Sequence, residues 1–502
     1  MIIGGRKFSG LPFLTVVVFV LAGWLFFHNF DKPSVFTDEV IYAQTGLQYA
    51  VGDFHANLEH PFLGKMLIGV FAFLGGLSDF WVRLPGMLFG VGIILAVFIF
   101  IKKVTNKNWL ALGSSLTLLF APEFLWTSPR ALLDNPLAFF SFLSLVSFWF
   151  FLKSVKEPEK FSKGWLGLCF VSFILAFSCK FTAILLAPVF LFSYLSLMPW
   201  KRKDLLQQVK FIIFWFAISV LIFLLIHYTI FPHYRAWIWS LWDHWGPQAP
   251  EMVVGHDAFL AGKTYGVLPW WTYLYYSLFG FESNPGYSLI FLIFAPVVIF
   301  TNLFLRGKSF FNDLTQNPFL QFLILGFLVF SLVLSFKQYR YLILLTPSLV
   351  VALALSLNAI CERFRNGRFK NAEKVIAVIF GFVLLLQFWQ IRPYFLGRRI
   401  DGYKLAASVI AKNLTSHHNL IFAFAYPDVL NWYLPQYPFP HGYYPTRDID
   451  IPDYRKAAII VVDKNMSQRY PADPILAYLK EHRLDFEEER VDNLTIFNRI
   501  VF

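Results

Sequence analysis

The chain has 502 residues, of which 57% are hydrophobic and 15% are charged, and its formal net charge is +12 at pH 7. This composition excludes an ordinary soluble globular protein and indicates a multi-pass membrane protein. The basic residues lie in short groups between apolar runs, as in cytoplasmic loops, so we assign the positive charge to topology and predict no nucleic-acid partner.

The first apolar run, LPFLTVVVFVLAGWLFF, follows Arg6 and Lys7 and is long enough to cross a bilayer. No small-residue cleavage pattern follows it, so we predict a retained span with a cytoplasmic N-terminus. The segment 62–77 is apolar but short, and we predict that it lies on the outer surface or dips into it. Length and charge together predict about eleven spans, at 12–28, 81–101, 108–125, 131–152, 164–179, 181–199, 211–230, 287–305, 318–336, 341–360 and 375–392.

Three regions on the predicted outer side are large enough to build a structure: the loops 29–80 and 231–286 and the tail 393–502. The tail contains no span-length apolar run. Within it, NLIFAFAY and AAIIVVD have the composition of strands, while YKLAASVIAKNL and DPILAYLKEH have helical spacing. We therefore predict an all-α membrane domain over 1–392 and a small extracytoplasmic α/β domain over 393–502.

An acidic pair opens the first outer loop, in TDEVIYAQTGLQYA. Thr37 or Asp38 could cap a helix here, and a carboxylate at a helix N-terminus needs no other purpose. However, Asp38 and Glu39 are two adjacent acids, and Asp134 is predicted at the outer end of the fourth span. Carboxylates at membrane depth are costly and are commonly functional. We therefore favour a functional role for Asp38 and leave both interpretations open for Glu39.

Cations occur at the outer ends of several predicted spans. Arg83, Lys180 and Arg340 either bind an anion or extend to the lipid headgroups, and for Lys180 and Arg340 we favour a phosphate. Arg340 stands next to Tyr341 in a very short turn that should aim it at the bundle. Lys65 is better explained as a headgroup contact, although it stays among the candidate binding residues. Arg130 precedes Asp134 by four residues and could pair with it along one helix face.

Three segments resemble the membrane glycosyltransferases of the GT-C class: TDEVIYAQTGLQYAVGDF…EHPFLGK, FWVRLPGMLFGVGIILAVFIF and SPRALLDNPLAFF. The protein O-mannosyltransferases and the aminoarabinose (lipid A) transferases are the most similar branches. In that superfamily an acidic pair is followed by an HPP or KPP motif, an RLPSA-like segment and an LLD motif. The resemblance covers residues 10–200 in good order, with HPF at 60–62 in place of HPP.

The resemblance implies transfer of a sugar from a polyprenyl-phosphate carrier to a protein, lipid or glycan acceptor at the outer membrane face, with inversion. Asp38 would be the catalytic base, supported by Glu39 and Asp134. Cations would stabilise the departing lipid phosphate. The candidate substrate-binding residues are Glu59, His60, Lys65, Arg83, Lys180, Arg340 and Tyr341.

A divalent metal is a further candidate ligand, because Glu59 and His60 are adjacent and other histidines lie in or near the second loop. No HExxH spacing supports it, and His60 as a donor to the leaving phosphate is the preferred interpretation. Two other functions remain open: a lipid-linked saccharide flippase or transporter, and a membrane protein that binds lipid-linked sugar without reacting. Transporters typically have repeated halves and charges near the midplane, which this sequence lacks.

Overall fold

The computed structural model describes residues 2–3, 6–7, 11–57, 60–156, 163–197, 202–230, 258–260, 263–265, 268–280, 286–305, 317–333, 338–365, 371–398, 402–413, 421–424, 426–436, 457–464, 467 and 474–500. The predicted loop residue Glu59 and most of the second predicted outer loop lie outside these ranges.

The first part of the chain is helical, with two short hairpins. The helices are α1 (Leu11–Phe27), α2 (Thr37–Ala50), α3 (Phe62–Gly75), α4 (Asp79–Thr105), α5 (Asn108–Leu119), α6 (Pro122–Thr127), α7 (Asp134–Lys156), α8 (Lys163–Cys179), α9 (Leu186–Leu195), α10 (Arg202–Ile230), α11 (Thr272–Phe279), α12 (Leu289–Leu305), α13 (Pro318–Leu328), α14 (Leu342–Arg365) and α15 (Ala372–Leu396). The hairpins pair β1 (Ile2–Ile3) with β2 (Arg6–Lys7) and β3 (Ala258–Leu260) with β4 (Lys263–Tyr265).

Four helices within the described residues are long and apolar enough to cross a membrane: Asp79–Thr105, Asp134–Val155, Tyr339–Arg365 and Ala372–Leu396. Shorter apolar helices are Thr15–Phe27, Phe62–Gly75, Gly164–Cys179, Phe181–Leu195, Ile213–Thr229, Phe291–Leu305 and Pro318–Val333. The multi-pass architecture is therefore confirmed, whereas the number of eleven spans is not.

The predicted third span at 108–125 is interrupted. Helix α5 ends at Leu119, and α6 starts afresh at Pro122. Proline has no N–H to donate and is favoured in the first turn of a helix, so it ends one segment and begins the next. The chain then runs without helix from Ser128 until α7 begins at Asp134. This break places residues 128–134 at one end of the helical bundle.

Helices α2 and α3 pack backbone against backbone. A methyl group at Gly46 would overlap the Lys65 carbonyl and Gly69, and a methyl group at Gly69 would overlap the backbone of Gly46. Only glycine at both positions permits this approach. The contact fixes α2, which carries the acidic pair, against a helix that packs in turn on α4.

The C-terminal part forms a four-stranded sheet with helices on both faces. Strands β5 (Ile421–Phe424) and β6 (Ile459–Asp463) are parallel, and β8 (Leu494–Arg499) joins β6 to β7 (Phe486–Val491) by antiparallel pairing. The helices are α16 (Gly402–Asn413), α17 (Pro427–Tyr433) and α18 (Pro474–Glu481). All five residues of β6 are buried, as expected for a strand covered on both faces. The predicted small α/β unit is confirmed.

Candidate active site

Four charged side chains form an alternating row at one end of the helical bundle. Arg340 forms an ion pair with Asp38 through Nη1 and Oδ2, and its Nε lies 3.5 Å from Oδ2 of Asp134. Lys180 donates from Nζ to Oδ1 of Asp134 at 2.9 Å. The order is therefore Asp38, Arg340, Asp134, Lys180, and the four formal charges sum to zero.

Interruptions in the helices place these residues. Asp134 is the first residue of α7, and Asp38 is the second residue of α2. Lys180 stands in extended conformation between α8 and the 3-10 turn Phe181–Leu185. Arg340 lies in the 3-10 turn Tyr339–Tyr341, directly before α14. Because helix ends meet here, polar side chains from four segments converge at one level of the bundle.

The four side chains differ in exposure. Asp134, Lys180 and Arg340 are buried, whereas 26% of the Asp38 side chain is exposed. Among the described residues, Nε and Nη1 of Arg340 and Oδ2 of Asp134 make ion-pair contacts but no hydrogen bond of good geometry. Buried charges are costly unless they are paired and hydrogen-bonded. The row therefore has unused hydrogen-bonding capacity, and Asp38 is its solvent-accessible member.

Two tyrosines flank the row. The ring of Tyr341 lies 4.4 Å from Nζ of Lys180. Tyr42 follows Asp38 by one helical turn on α2 and is 4% exposed. Burial raises the pKa of Tyr42 well above its ordinary value of 10, and the negative charge of Asp38 adds to this effect. The hydroxyl of Tyr42 consequently stays protonated near neutral pH and is available as a donor.

Glu39 is fully buried and faces away from the row. Its carboxylate accepts hydrogen bonds from Arg83 at 2.8 and 3.1 Å, from Arg130 at 3.1 Å, and from the backbone N–H groups of Ala131 and Phe36 at 2.9 and 2.8 Å. Burial alone would raise its pKa, but the two arginines and these hydrogen bonds lower the pKa of Glu39 to about 2. The carboxylate is therefore ionised and fully engaged.

The side chain of Arg83, on α4, likewise makes its hydrogen bonds within the protein. Besides Glu39, it donates to the carbonyl oxygens of Phe30, Pro33 and Ser34 at 2.7, 3.2 and 3.0 Å. These are the residues that lead into α2. With its side chain only 1% exposed, Arg83 fixes the chain that precedes Asp38.

Lys65, on α3, holds the loop that follows α2. Its Nζ donates to the carbonyl oxygens of Asn57 and His60, to the latter at 2.8 Å, and to the hydroxyl of Tyr49 at 3.1 Å. The His60 ring lies 6.0 Å from the Tyr42 ring, which connects this loop to the row. No group of three His, Cys, Asp or Glu side chains with metal-binding geometry occurs in the described ranges, and Glu59 is outside them.

The structure thus brings Asp38, Asp134, Lys180, Arg340 and Tyr341 together, whereas Glu39 and Arg83 pair with each other. Sequence reasoning missed Tyr42, although its position four residues after Asp38 on a predicted helix is a usable signal. Arg130 pairs with Glu39, whereas the spacing suggested Asp134. The physical reason is that α7 begins only at Asp134, so residues 130 and 134 do not share a helix face.

A cavity of about 340 Å³ lies elsewhere, lined among others by Lys153, Asn302, Ser356 and Asn358. Ser356 follows Tyr341 by about four turns of α14, which separates the cavity from Arg340 by roughly 20 Å. The cavity is therefore distinct from the charged row.

Comparison with known proteins gives one family model and several related folds. Residues 59–229, less than half of the chain, match the family model described as dolichyl-phosphate-mannose-protein mannosyltransferase. No curated protein sequence matches.

The crystal structure of ArnT from Cupriavidus metallidurans in the apo state superposes with a TM-score of 0.58 at 17% identity, over 98% of this chain and 99% of that chain. The same protein bound to undecaprenyl phosphate gives a TM-score of 0.57 at 17% identity and 99% coverage of both chains. The S. cerevisiae Pmt1-Pmt2 complex bound to the sugar donor aligns over 47% of this chain and 35% of that chain at 21% identity, but its TM-score of 0.37 is too low to carry an argument. Through the family model and the ArnT-like fold, the predicted resemblance to the GT-C glycosyltransferases that use polyprenyl-phosphate sugars is confirmed.

Proposed function

We propose that the protein transfers a glycosyl group from a polyprenyl-phosphate-linked sugar to a protein, lipid or glycan acceptor at the outer face of the membrane. The observation that carries the proposal is the row of Asp38, Arg340, Asp134 and Lys180, which combines one accessible carboxylate with two buried cations. The family model and the fold shared with ArnT, which has been crystallised with undecaprenyl phosphate, support the choice of donor.

Asp38 is the proposed base. Its carboxylate accepts the proton of the acceptor hydroxyl while that oxygen attacks the anomeric carbon of the donor. The bond between the anomeric carbon and the phosphate oxygen breaks, and polyprenyl phosphate leaves with the bonding electrons. A single displacement inverts the anomeric configuration. The partial exposure of Asp38 supports this role, because an acceptor must reach the carboxylate from outside the bundle.

Arg340 and Lys180 are the proposed partners of the phosphate. Negative charge grows on the phosphate oxygens as the glycosidic bond breaks, and preorganised cations in a water-poor site stabilise it. Both side chains are buried, and Nε and Nη1 of Arg340, which lack hydrogen bonds of good geometry, can donate to a phosphate oxygen. Asp134 binds Lys180 and Arg340 through its two separate oxygens. Tyr42 and Tyr341, which flank the row, are proposed as further hydrogen-bond donors.

Glu39, Arg83 and Lys65 are proposed to position the reacting groups, since their polar atoms are used within the protein. His60 remains a proposed donor to the leaving phosphate. A divalent metal, if one is used, would be held near Glu59 and His60.

The proposed orientation places the charged row and the C-terminal domain outside the cell membrane and the N-terminus in the cytoplasm. A cysteine at Ser467 should react with a membrane-impermeant maleimide applied to intact cells, and one at Asn108, at the start of α5, should not. The reverse pattern would place the row on the cytoplasmic side and contradict the proposal.

The function is tested by offering purified protein a panel of labelled prenyl-phosphate sugars, with and without chelator. We expect time-dependent release of polyprenyl phosphate from one class of donor in the presence of an acceptor. Binding of donors without any release would instead support a non-catalytic lipid-sugar-binding protein. Transport of intact donor across vesicles without release would support a flippase.

A further inference from the structure

The start of α2 is built into the core of the C-terminal domain. Val35 and Val40, which bracket Asp38 in the sequence, are 4% and 0% exposed. Both belong to the apolar cluster that contains Ala406 of α16 and Leu430 of α17. Burial of both valines removes apolar surface from water and so stabilises this packed arrangement. The segment that carries Asp38 is therefore packed as part of the C-terminal domain as well as of the helical bundle.

A polar cluster at the first turn of α4 adds directional contacts. Asp79 is 8% exposed and accepts hydrogen bonds from Nζ of Lys404 at 2.8 Å, from Nε1 of Trp432 at 2.9 Å and from the hydroxyl of Tyr433 at 3.3 Å. The same Tyr433 hydroxyl accepts from the backbone N–H of Val35 at 2.8 Å. One hydroxyl thus joins the C-terminal domain to α4 and to the chain that leads into α2.

Lys404 makes two more contacts with that chain. Its Nζ donates to the carbonyl oxygen of Asp31 at 2.6 Å, and its backbone N–H donates to Oγ of Ser34 at 2.9 Å. On the opposite side Arg83, one helical turn after Asp79 on α4, holds the carbonyl oxygens of residues 30, 33 and 34. Residues 30–35 are therefore held from two directions.

The cluster should persist across the physiological pH range. Burial and the adjacent carboxylate of Asp79 raise the pKa of Tyr433, so its hydroxyl stays protonated and continues to bridge Asp79 and Val35. Asp79 is balanced by the ammonium group of Lys404 at 2.8 Å. Within the described part of the chain, the hydrogen bonds of Lys404, Trp432 and Tyr433 go to Asp79 and to residues 31–35, and none of them reaches the charged row.

We propose that the C-terminal domain sets the position of Asp38, with Lys404, Trp432 and Tyr433 as positioning residues that act through residues 30–36. This inference rests on the proposed role of Asp38 as the base. A small misplacement of a reacting group is expected to cost on the order of 10- to 100-fold in kcat. Donor binding should be preserved, because Arg340 and Lys180 belong to other segments.

The test uses the full-length protein with Tyr433→Phe, with Trp432→Phe, and with both. Each change removes one hydrogen-bonding group and keeps an aromatic ring in the apolar contact. Tyr478→Phe is the matched control, because it removes a hydroxyl that accepts from Arg499 within the same domain, away from residues 30–36. Amide hydrogen exchange over residues 30–40, kcat, and the donor KM are measured for each protein.

We expect faster exchange over residues 30–40, a loss of 10- to 100-fold in kcat and an unchanged donor KM in the double variant, with no change in the control. Unchanged exchange, or faster exchange with the parental kcat, would overturn the proposal. Parent protein that releases no polyprenyl phosphate would contradict the proposed function itself. In that case the exchange data would still show whether the domain holds residues 30–36.

Discussion

Asp38 and Glu39 are adjacent in sequence but make different sets of contacts. Glu39 receives five hydrogen bonds, is fully buried and has a pKa lowered to about 2. Asp38 pairs with Arg340 and keeps a quarter of its side chain exposed. Adjacent residues on a helix point about 100° apart, so one faces the scaffold and the other the charged row. A carboxylate whose hydrogen bonds are all made within the protein stabilises the fold, whereas a partly exposed carboxylate can contact a substrate.

Glu39→Gln should produce the largest loss of stability. The amide keeps the shape but removes the charge that balances Arg83 and Arg130, and breaking a buried ion pair from one side commonly costs about 3–5 kcal/mol. We expect a clear fall in thermal stability and yield. Asp53→Asn is the control, since Asp53 lies in the same predicted outer loop but is exposed and pairs only with His55 among the described residues. If Glu39→Gln had the thermal stability of the parent protein, the proposed contrast between a structural Glu39 and a reactive Asp38 would be contradicted.

Acid should reproduce part of that loss. Because the folded pKa of Glu39, about 2, lies below its ordinary value of 4.5, its ionised form stabilises the folded state. That contribution is fully present above pH 4.5 and is lost as the pH falls towards 2. The difference in thermal stability between parent and Glu39→Gln should therefore shrink between pH 5 and pH 3. A difference that stays constant over this interval would contradict the lowered pKa.

Arg340→Ala should weaken donor binding, and it should also lower stability, because it leaves the buried Asp134 with Lys180 as its remaining ion-pair partner among the described residues. The loss of a charge-assisted contact to a phosphate typically costs about 1.5–3 kcal/mol, which is roughly 10- to 150-fold in apparent donor affinity. Arg363→Ala is the control, because Arg363 lies at the far end of α14, the helix that follows the turn carrying Arg340, and donates to the Leu305 carbonyl. An unchanged donor affinity for Arg340→Ala would leave Arg340 with a structural role alone, as the ion-pair partner of Asp38 and Asp134.

The charged row could be predicted because its members lie at span ends, where polar residues in an apolar sequence stand out. Asp38, Asp134, Lys180 and Arg340 were all predicted in this way. Strands β5 and β6 of the C-terminal domain were predicted too, since IFAF and IIVVD are short apolar runs between polar segments, whereas β7 and β8 were not predicted. These features depend on local sequence alone.

The ion-pair and hydrogen-bond partners of the residues around the charged row could not be predicted from the sequence. Whether Arg130 pairs with Asp134 or Glu39 depends on where α7 begins, and charge spacing does not determine that boundary. The hydrogen bond from Trp432 to Asp79 joins residues 353 positions apart, and neither belongs to a motif. The number of spans was also not determined, because several apolar runs form helices of only 10–17 residues, among them Phe181–Leu195.

The central claim is that Asp38 is the base of a transfer reaction, and Asp38→Asn tests it most directly. Asparagine keeps the size and can still accept a hydrogen bond from Arg340, but it takes no proton, and loss of a general base commonly costs about 10²–10⁴ in rate. With the donor and acceptor of the parent protein, we expect normal yield, thermal stability and donor binding and a loss of transfer of that order, while Asp53→Asn remains active. Transfer by Asp38→Asn at near the parental rate would contradict the assignment and leave Asp38 with a structural role alone, as the ion-pair partner of Arg340.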